Sequence, residues 1–325
     1  WRNFGSLPFA RLFEPAIELA RNGFRINQRL YNSISAQPGH AGFSATARKL
    51  YFDAEGKVLP AGSLVQNEQL ALTFERIARE GPDAFYTSAL GDAIAATVAQ
   101  ATPKPGAMTI ADVRGYAPRQ RDAVCGSYRK YRVCSMGPPS SGGIAVLQIL
   151  GQLERFDLRA MGKDNPATWH LFIEAQRLAY ADRELYLADP DFVDVPIAGL
   201  IAPDYIAARS NLIDPAQRTA KFTAGTPAGA TTPLADGDEP TEEGTSHFAA
   251  VDKGGVMVSY TSTIESAFGS GLMANGFYLN NELTDFSRAP MVGGRLVANR
   301  VEGGKRPRSS MSPTVIWDPA GEPFM

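Results

Sequence analysis

The chain is poor in thiol and imidazole: 325 residues hold two cysteines, Cys125 and Cys134, and three histidines, at 40, 170 and 247. Without an HExxH spacing or a zinc-type cysteine pattern, no metal site is expected. No apolar run approaches the ~20 residues that a bilayer span requires. Positive charge is not in excess either. Lys and Arg number 32 against 34 Asp and Glu, for a net charge of −2, and they are scattered along the chain. That removes the basic face on which nucleic-acid binding depends. The two cysteines lie within VCGSYRKYRVCSM, where the spacing leaves two readings open, a hairpin disulfide or two unpaired buried thiols.

What remains is an ordinary globular composition, 44% hydrophobic and 20% charged, enough for one large domain or two modest ones. Helical periodicity marks residues 8–24 (with Pro15 inside and Gly23 as a stop), 66–80, 83–101, a short turn from Ile110, and 168–187. In the last of these, Glu174, Arg177, Asp182 and Arg183 read as a solvated or ion-paired face, and His170 as a packing residue. Strands are expected at Tyr128–Ser135, 245–264, and around 277–281 and 313–318. Helices come first and strands later, which predicts a mixed α+β fold rather than alternating βαβ units.

Residues 221–244, KFTAGTPAGATTPLADGDEPTEEG, are rich in Gly, Pro, Thr and acid and predict a flexible connector. A hairpin follows, with Thr245–Val251 and Val256–Ile264 joined by Asp252-Lys253-Gly254-Gly255. A three-residue loop with glycine in the left-handed position suits that turn. If Asp252 pairs with Val256, Thr245 faces Thr263, and opposed side chains lie roughly 5 Å apart at Cβ. A two-residue loop would place Ser262 there instead. A hydroxyl at the first position of a core strand, just after a loose leader, suggests cleavage at Gly244-Thr245. The cut would give Thr245 a free α-amino group beside its own hydroxyl, a nucleophile with a built-in base. The competing reading is two β-branched residues chosen for strand propensity.

The run MGPPSSGG at 136–143 interrupts a strand and precedes a helix-like segment. Its amides suit an anion or an oxyanion, or a plain helix cap.

Taken together, EPAIELARNGF, YRVCSMGPPSSGGIAVLQIL, EAQRLAYADRELYLADPDF, TSHFAAVDKGGVMVSYTSTIESAFGSG, GFYLNNELTDFS and KRPRSSMSPT resemble the γ-glutamyltransferase (γ-glutamyl transpeptidase) family of N-terminal-nucleophile (Ntn) hydrolases, over almost the whole chain. The resemblance implies an αββα sandwich, present in part, and a precursor that cleaves itself. It makes residues 1–244 large-subunit, with 221–244 as the linker, and 245–325 small-subunit within the same domain. Thr245 becomes the nucleophile, Thr263 its hydrogen-bonding partner, and Gly244-Thr245 the bond cut.

The substrate implied is a γ-glutamyl donor such as glutathione, with an amino acid, peptide or water as acceptor and no cofactor. Asp285, with Glu282 beside it, would take the substrate ammonium, and Ser309 and Ser310 would donate to its α-carboxylate. Glu265 stands where many members carry Asn, making the pocket unusually acidic and strict γ-glutamyl preference less certain. The resemblance further implies that the chain opens beyond the carboxylate-clamping Arg of the large subunit and stops before the Gly-Gly pair of the oxyanion hole. A cleaved heterodimer and export to a periplasm or the cell exterior follow as expectations. Two rivals are a glutaryl or cephalosporin-type acylase of the same family, and an uncleaved relative that only binds.

Overall fold

A computed structural model describes residues 1–231, 233–239 and 244–324. The chain divides into two compact units, Trp1–Arg119 with Ile264–Asn281, and Gln120–Thr263 with Glu282–Met325.

The first unit is mainly helical. Helices Glu14–Asn22, Gln28–Ala36 and Glu68–Glu80 begin or end where their sequence provides a cap. The side chains of Asn27 and Asn67 accept from the amides of Leu30 and Leu70, and Gly23 and Gly81 stop their helices at positive φ. The stretch 83–101, which periodicity predicts as one helix, is two: Ala84–Thr87 and Ala89–Ala99. Ser88 divides them, because its hydroxyl donates to the Ala84 carbonyl and accepts from the Leu90 amide. Residues 264–281 return to this unit, where Phe268 packs with Ile34 and Ala41, and Ala274 with Ile94 and Val113.

The second unit is built on a three-stranded antiparallel sheet in the order Thr314–Trp317, Tyr131–Ser135, Val124–Tyr128. Sequence alternation predicts a single strand at Tyr128–Ser135; the structure has a hairpin turning at Arg129-Lys130, both at positive φ. Neither residue is a usual choice for such a turn. The arginine is held by other means: its amide donates to the Glu154 carboxylate and its guanidinium to the Phe156 carbonyl. Cys125 stands directly opposite Cys134, and the two form a disulfide.

Helix Gly142–Leu153 covers the sheet, with Ile144 and Leu147 packed on Val124 and Val133. Gly126 makes room, since a Cβ there would lie 2.9 Å from Leu147 Cδ2. Helix Pro166–Tyr186 supplies Leu171, Ala175 and Leu178 to a second cluster with Leu153 and Ile213. Its charged residues are ion-paired, with Arg177 half-buried against Glu174. Glu174, Asp182 and Arg183 are buried. Asp182 meets Arg209 at 3.1 Å and also accepts from Gln148, Tyr205 and the Gly225 amide. His170 is half-buried and bonds the Asp214 carbonyl at 2.8 Å. None of the described helices is long and apolar enough to cross a membrane.

The polar run after residue 220 is anchored where it is described. The Tyr186 hydroxyl donates to the Gly225 carbonyl, Leu234 is buried in the main core cluster, and Ala235 donates to the Leu296 carbonyl. Composition predicts a loose connector because one leucine among so many polar residues gives no periodic signal. Thr232 and residues 240–243 lie outside the described residues.

Candidate active site

The hairpin has the register that the turn sequence predicts. Strands Thr245–Val251 and Met257–Thr263 pair antiparallel with Thr245 opposite Thr263. Asp252 sets the loop: its amide donates to the Val256 carbonyl, its carboxylate accepts from the Gly254 and Val256 amides, and Gly255 has φ +84°. Because loop length fixes register, these four residues decide which hydroxyl faces Thr245. The Thr263 hydroxyl donates to the Gly244 carbonyl at 2.9 Å. A donor on that oxygen withdraws electron density from the carbonyl carbon that a Thr245 attack would reach. Two pairs along, His247 Nδ1 lies 2.8 Å from Thr261 Oγ1.

Glu282 and Asp285 share one 3-10 turn. Residues three apart eclipse in that geometry, so the turn carries two carboxylates on one side. The turn is tied down through Asn299, which is 0% exposed. Its Nδ2 donates to the Asp285 carbonyl at 2.7 Å, and its Oδ1 accepts from the Arg308 amide at 2.9 Å. Asn299 thus joins the acidic turn to the segment that leads into Ser309 and Ser310.

That serine segment is held by the Ser140-Ser141 loop. The Ser141 amide donates to the Ser309 carbonyl at 2.7 Å and the Ser141 hydroxyl to the same oxygen at 2.8 Å. Ser309 Oγ donates to Ser140 Oγ at 3.0 Å. Arg183 bridges the two segments, with Nε on Ser141 Oγ and Nη2 on Ser310 Oγ, each at 2.9 Å. A hydroxyl that accepts from a cation is a better donor in turn. The segments approach so closely that a Cβ on Gly142 would lie 2.6 Å from the Ser310 carbonyl oxygen. The anion role that the sequence offers for Ser-Ser-Gly-Gly therefore has an internal occupant at Ser141, the Ser309 carbonyl.

Behind the serines lies a buried charge cluster. Arg308 donates to the Arg183 carbonyl at 2.7 Å and to the carboxylates of Glu184 and Glu239. Asp236, on the same leader as Glu239, has its carboxyl held above the ordinary carboxylate range by burial first and by Glu184 second.

Thr245, Thr263, Glu282, Asp285, Ser309 and Ser310 all belong to the second unit. Glu265 belongs to the first. It is buried, at φ +68°, and its carboxylate accepts from Ser266 Oγ at 2.9 Å and from Asn281 Nδ2. Sequence reading misses Asn299, Arg183 and Arg308. Asn299 has no partner nearby in sequence, and the two arginines look like ordinary surface charges.

The family described as gamma-glutamyltranspeptidase matches residues 1–325. The chain is 38% identical over 322 residues to the glutathione hydrolase proenzyme of Bacillus subtilis (strain 168), covering 97% of this chain and 53% of that protein. It is 34% identical over 312 residues to the acylase ACY 1 proenzyme of Pseudomonas sp. (strain SE83), covering 95% of this chain and 52% of that protein. The crystal structure of Helicobacter pylori gamma-glutamyltranspeptidase aligns with a TM-score of 0.65 at 33% identity, over 69% of this chain and 64% of that one. The chain spans about half the length of the curated relatives it matches.

Proposed function

Because this chain belongs to the gamma-glutamyltranspeptidase family and has the α+β fold of the Ntn hydrolases, we propose that it forms the self-cleaving core of an enzyme that moves γ-glutamyl groups from glutathione-like donors to amino acids, peptides or water. The observation that carries this reading is the Thr245–Thr263 register, with Thr263 on the Gly244 carbonyl.

In this reading the Thr245 hydroxyl adds to the Gly244 carbonyl carbon. The C–N bond breaks, the Thr245 amine takes up the hydroxyl proton, and the acyl group moves to Thr245 Oγ. Water hydrolyses that ester and leaves Thr245 as a new N-terminus. The free amine then serves as general base for the same hydroxyl in attack on a γ-glutamyl amide, and passes the proton to the departing amine. Glu282 and Asp285 receive the substrate ammonium, charge-assisted acceptors for a cation. Ser309 and Ser310 donate to the α-carboxylate, with Arg183 strengthening the second. The cleaved halves would stay together as a large/small heterodimer, exported to a periplasm or the cell exterior.

Mass spectrometry and N-terminal sequencing of the freshly folded full-length gene product test the cut. Two fragments, one beginning Thr-Ser-His-Phe, are expected, and a chain that stays intact would remove the mechanism. A second measurement separates donor classes. A γ-glutamyl anilide should turn over at least tenfold faster than a glutaryl anilide, the discrimination available when acceptors placed for an ammonium are left unpaired. Preference for glutaryl would convert the assignment to an acylase.

A further inference from the structure

Buried Asn299 spends every polar atom of its side chain on other parts of the second unit. Its amide nitrogen has two hydrogens. One goes to the Asp285 carbonyl at 2.7 Å and the other to Glu239 Oε1 at 2.8 Å. Its Oδ1 takes the Arg308 amide at 2.9 Å. The main chain adds a further tie, because the Ser287 amide donates to the Asn299 carbonyl at 3.0 Å. Ser287 and Arg300 form a parallel bridge alongside, and Ser287 Oγ donates to the same Glu239 oxygen at 2.7 Å. These ties fall on both sides of buried Phe286, so residues 285–287 are pinned against 299–300. No other side chain of this shape would serve: aspartate would offer only acceptors to two acceptors, and leucine neither kind of group.

From this arrangement we infer that Asn299 is a positioning residue that makes the site selective for an α-amino acid head, by holding the acidic turn Glu282–Asp285 at a fixed offset from Ser309 and Ser310. This rests on the reading in which those four residues receive the γ-glutamyl head. In that head the ammonium and the carboxylate hang from one carbon, so covalent geometry fixes their separation. A site that meets both at once needs an equally fixed spacing between its acceptors and its donors. Neither the turn nor the serine segment sets that spacing by itself. A single amide group bonded to the Asp285 carbonyl on one side and to the residue before Ser309 on the other does. Misplacement of one group by ~1 Å costs up to ~100-fold in such arrangements. The loss should fall on donors that carry the ammonium, because the Oδ1 bond to Arg308 and the Ser140-Ser141 loop hold the serine segment separately.

The test uses the full-length protein and two donors, a γ-glutamyl anilide and a glutaryl anilide, which differ only in the α-ammonium. The ratio of their kcat/KM values does not depend on how much of a preparation is folded or cut, so general damage cancels. Asn299→Asp keeps the shape and the acceptor for the Arg308 amide, but sets a carboxylate oxygen against the Asp285 carbonyl and Glu239. Combining it with Glu239→Gln restores the charge balance and supplies a donor on the leader side, while the Asp285 carbonyl still faces an acceptor. Tm should fall in Asn299→Asp and return to within about 2 °C of the parent in the double variant. The γ-glutamyl to glutaryl ratio of the double variant should nevertheless stay at least about tenfold below the parent's, carried by KM for the γ-glutamyl donor. If neither aspartate variant folds, Asn299→Ser, too short to span its partners, is read by the same ratio. A ratio within about twofold of the parent's overturns the inference and leaves the reading of the site standing. A parent that prefers the glutaryl anilide would instead sink the ammonium reading, and this inference with it.

Discussion

Thr245→Ala should leave the chain in one piece and without turnover. The substitution removes the atom that attacks in both steps of the proposed mechanism, so the loss in kcat is expected on the order of 10⁶, as for removal of other nucleophiles. The fold should not notice. Thr245 is exposed at the start of its strand, and exposed substitutions away from special features usually shift stability by less than about 0.5 kcal/mol. Circular dichroism and Tm therefore serve as controls, and a fragment beginning at residue 245 appearing at the parental rate would exclude Thr245 as the nucleophile. Thr245→Ser is the informative companion. It retains a hydroxyl and an amine in the same register, so cutting should slow but persist.

Arg308→Ala is expected to have the largest effect on stability. The Arg308 side chain is 0% exposed, and it bonds Glu184 Oε2 at 2.5 Å and Glu239 Oε2. Removing it leaves two carboxylates facing a cavity, and breaking a buried pair from one side costs about 3–5 kcal/mol. Arg183 tempers the loss, since its Nη1 remains 2.6 Å from Glu184. Lysine is no substitute, because a single ammonium cannot reach both carboxylates and the Arg183 carbonyl with the geometry of a guanidinium fork. Denaturant titration checks this. A loss below about 1 kcal/mol would mean that water or Arg183 already neutralises the cluster.

The hairpin was the most legible part of the chain. Its loop is written in four residues, and loop length fixes which side chains oppose each other, so the sequence narrowed the residue across from Thr245 to Thr263 or Ser262 and the structure has Thr263. Several helices were also readable, because apolar periodicity and a glycine stop are local signals. Legibility failed wherever the partner was remote. Arg308 is aligned with Glu184 by a contact 124 residues away, and Glu239 meets it across 69; neither separation leaves a periodic trace. The same holds for Glu174 and Asp182, whose partners Thr219 and Arg209 come from the chain beyond their own helix. Arg129-Lys130 failed differently. Alternation continued straight through the turn, and the stabilising contacts came from Glu154 and Phe156. The family motifs suggested roles for Ser309 and Ser310, whereas the contacts that orient them are visible only in three dimensions.

Gly142 has a consequence for how this protein tolerates change. Around it, the start of a helix and the Ser310-Met311 segment meet as bare main chain, with the Ser310 and Met311 carbonyl oxygens 2.6 and 2.5 Å from where a methyl would sit. At that point the spacing between the two serine pairs is limited by van der Waals contact of main chain with main chain, beside the hydroxyl and Arg183 bonds that bridge them. Exchanges of one apolar residue for another in the core beneath should shift those hydroxyls little, because the limiting contact at Gly142 is between main-chain atoms. A single inserted residue on either segment would shift them at once. Drift by substitution should be silent at this seam, and drift in length should not.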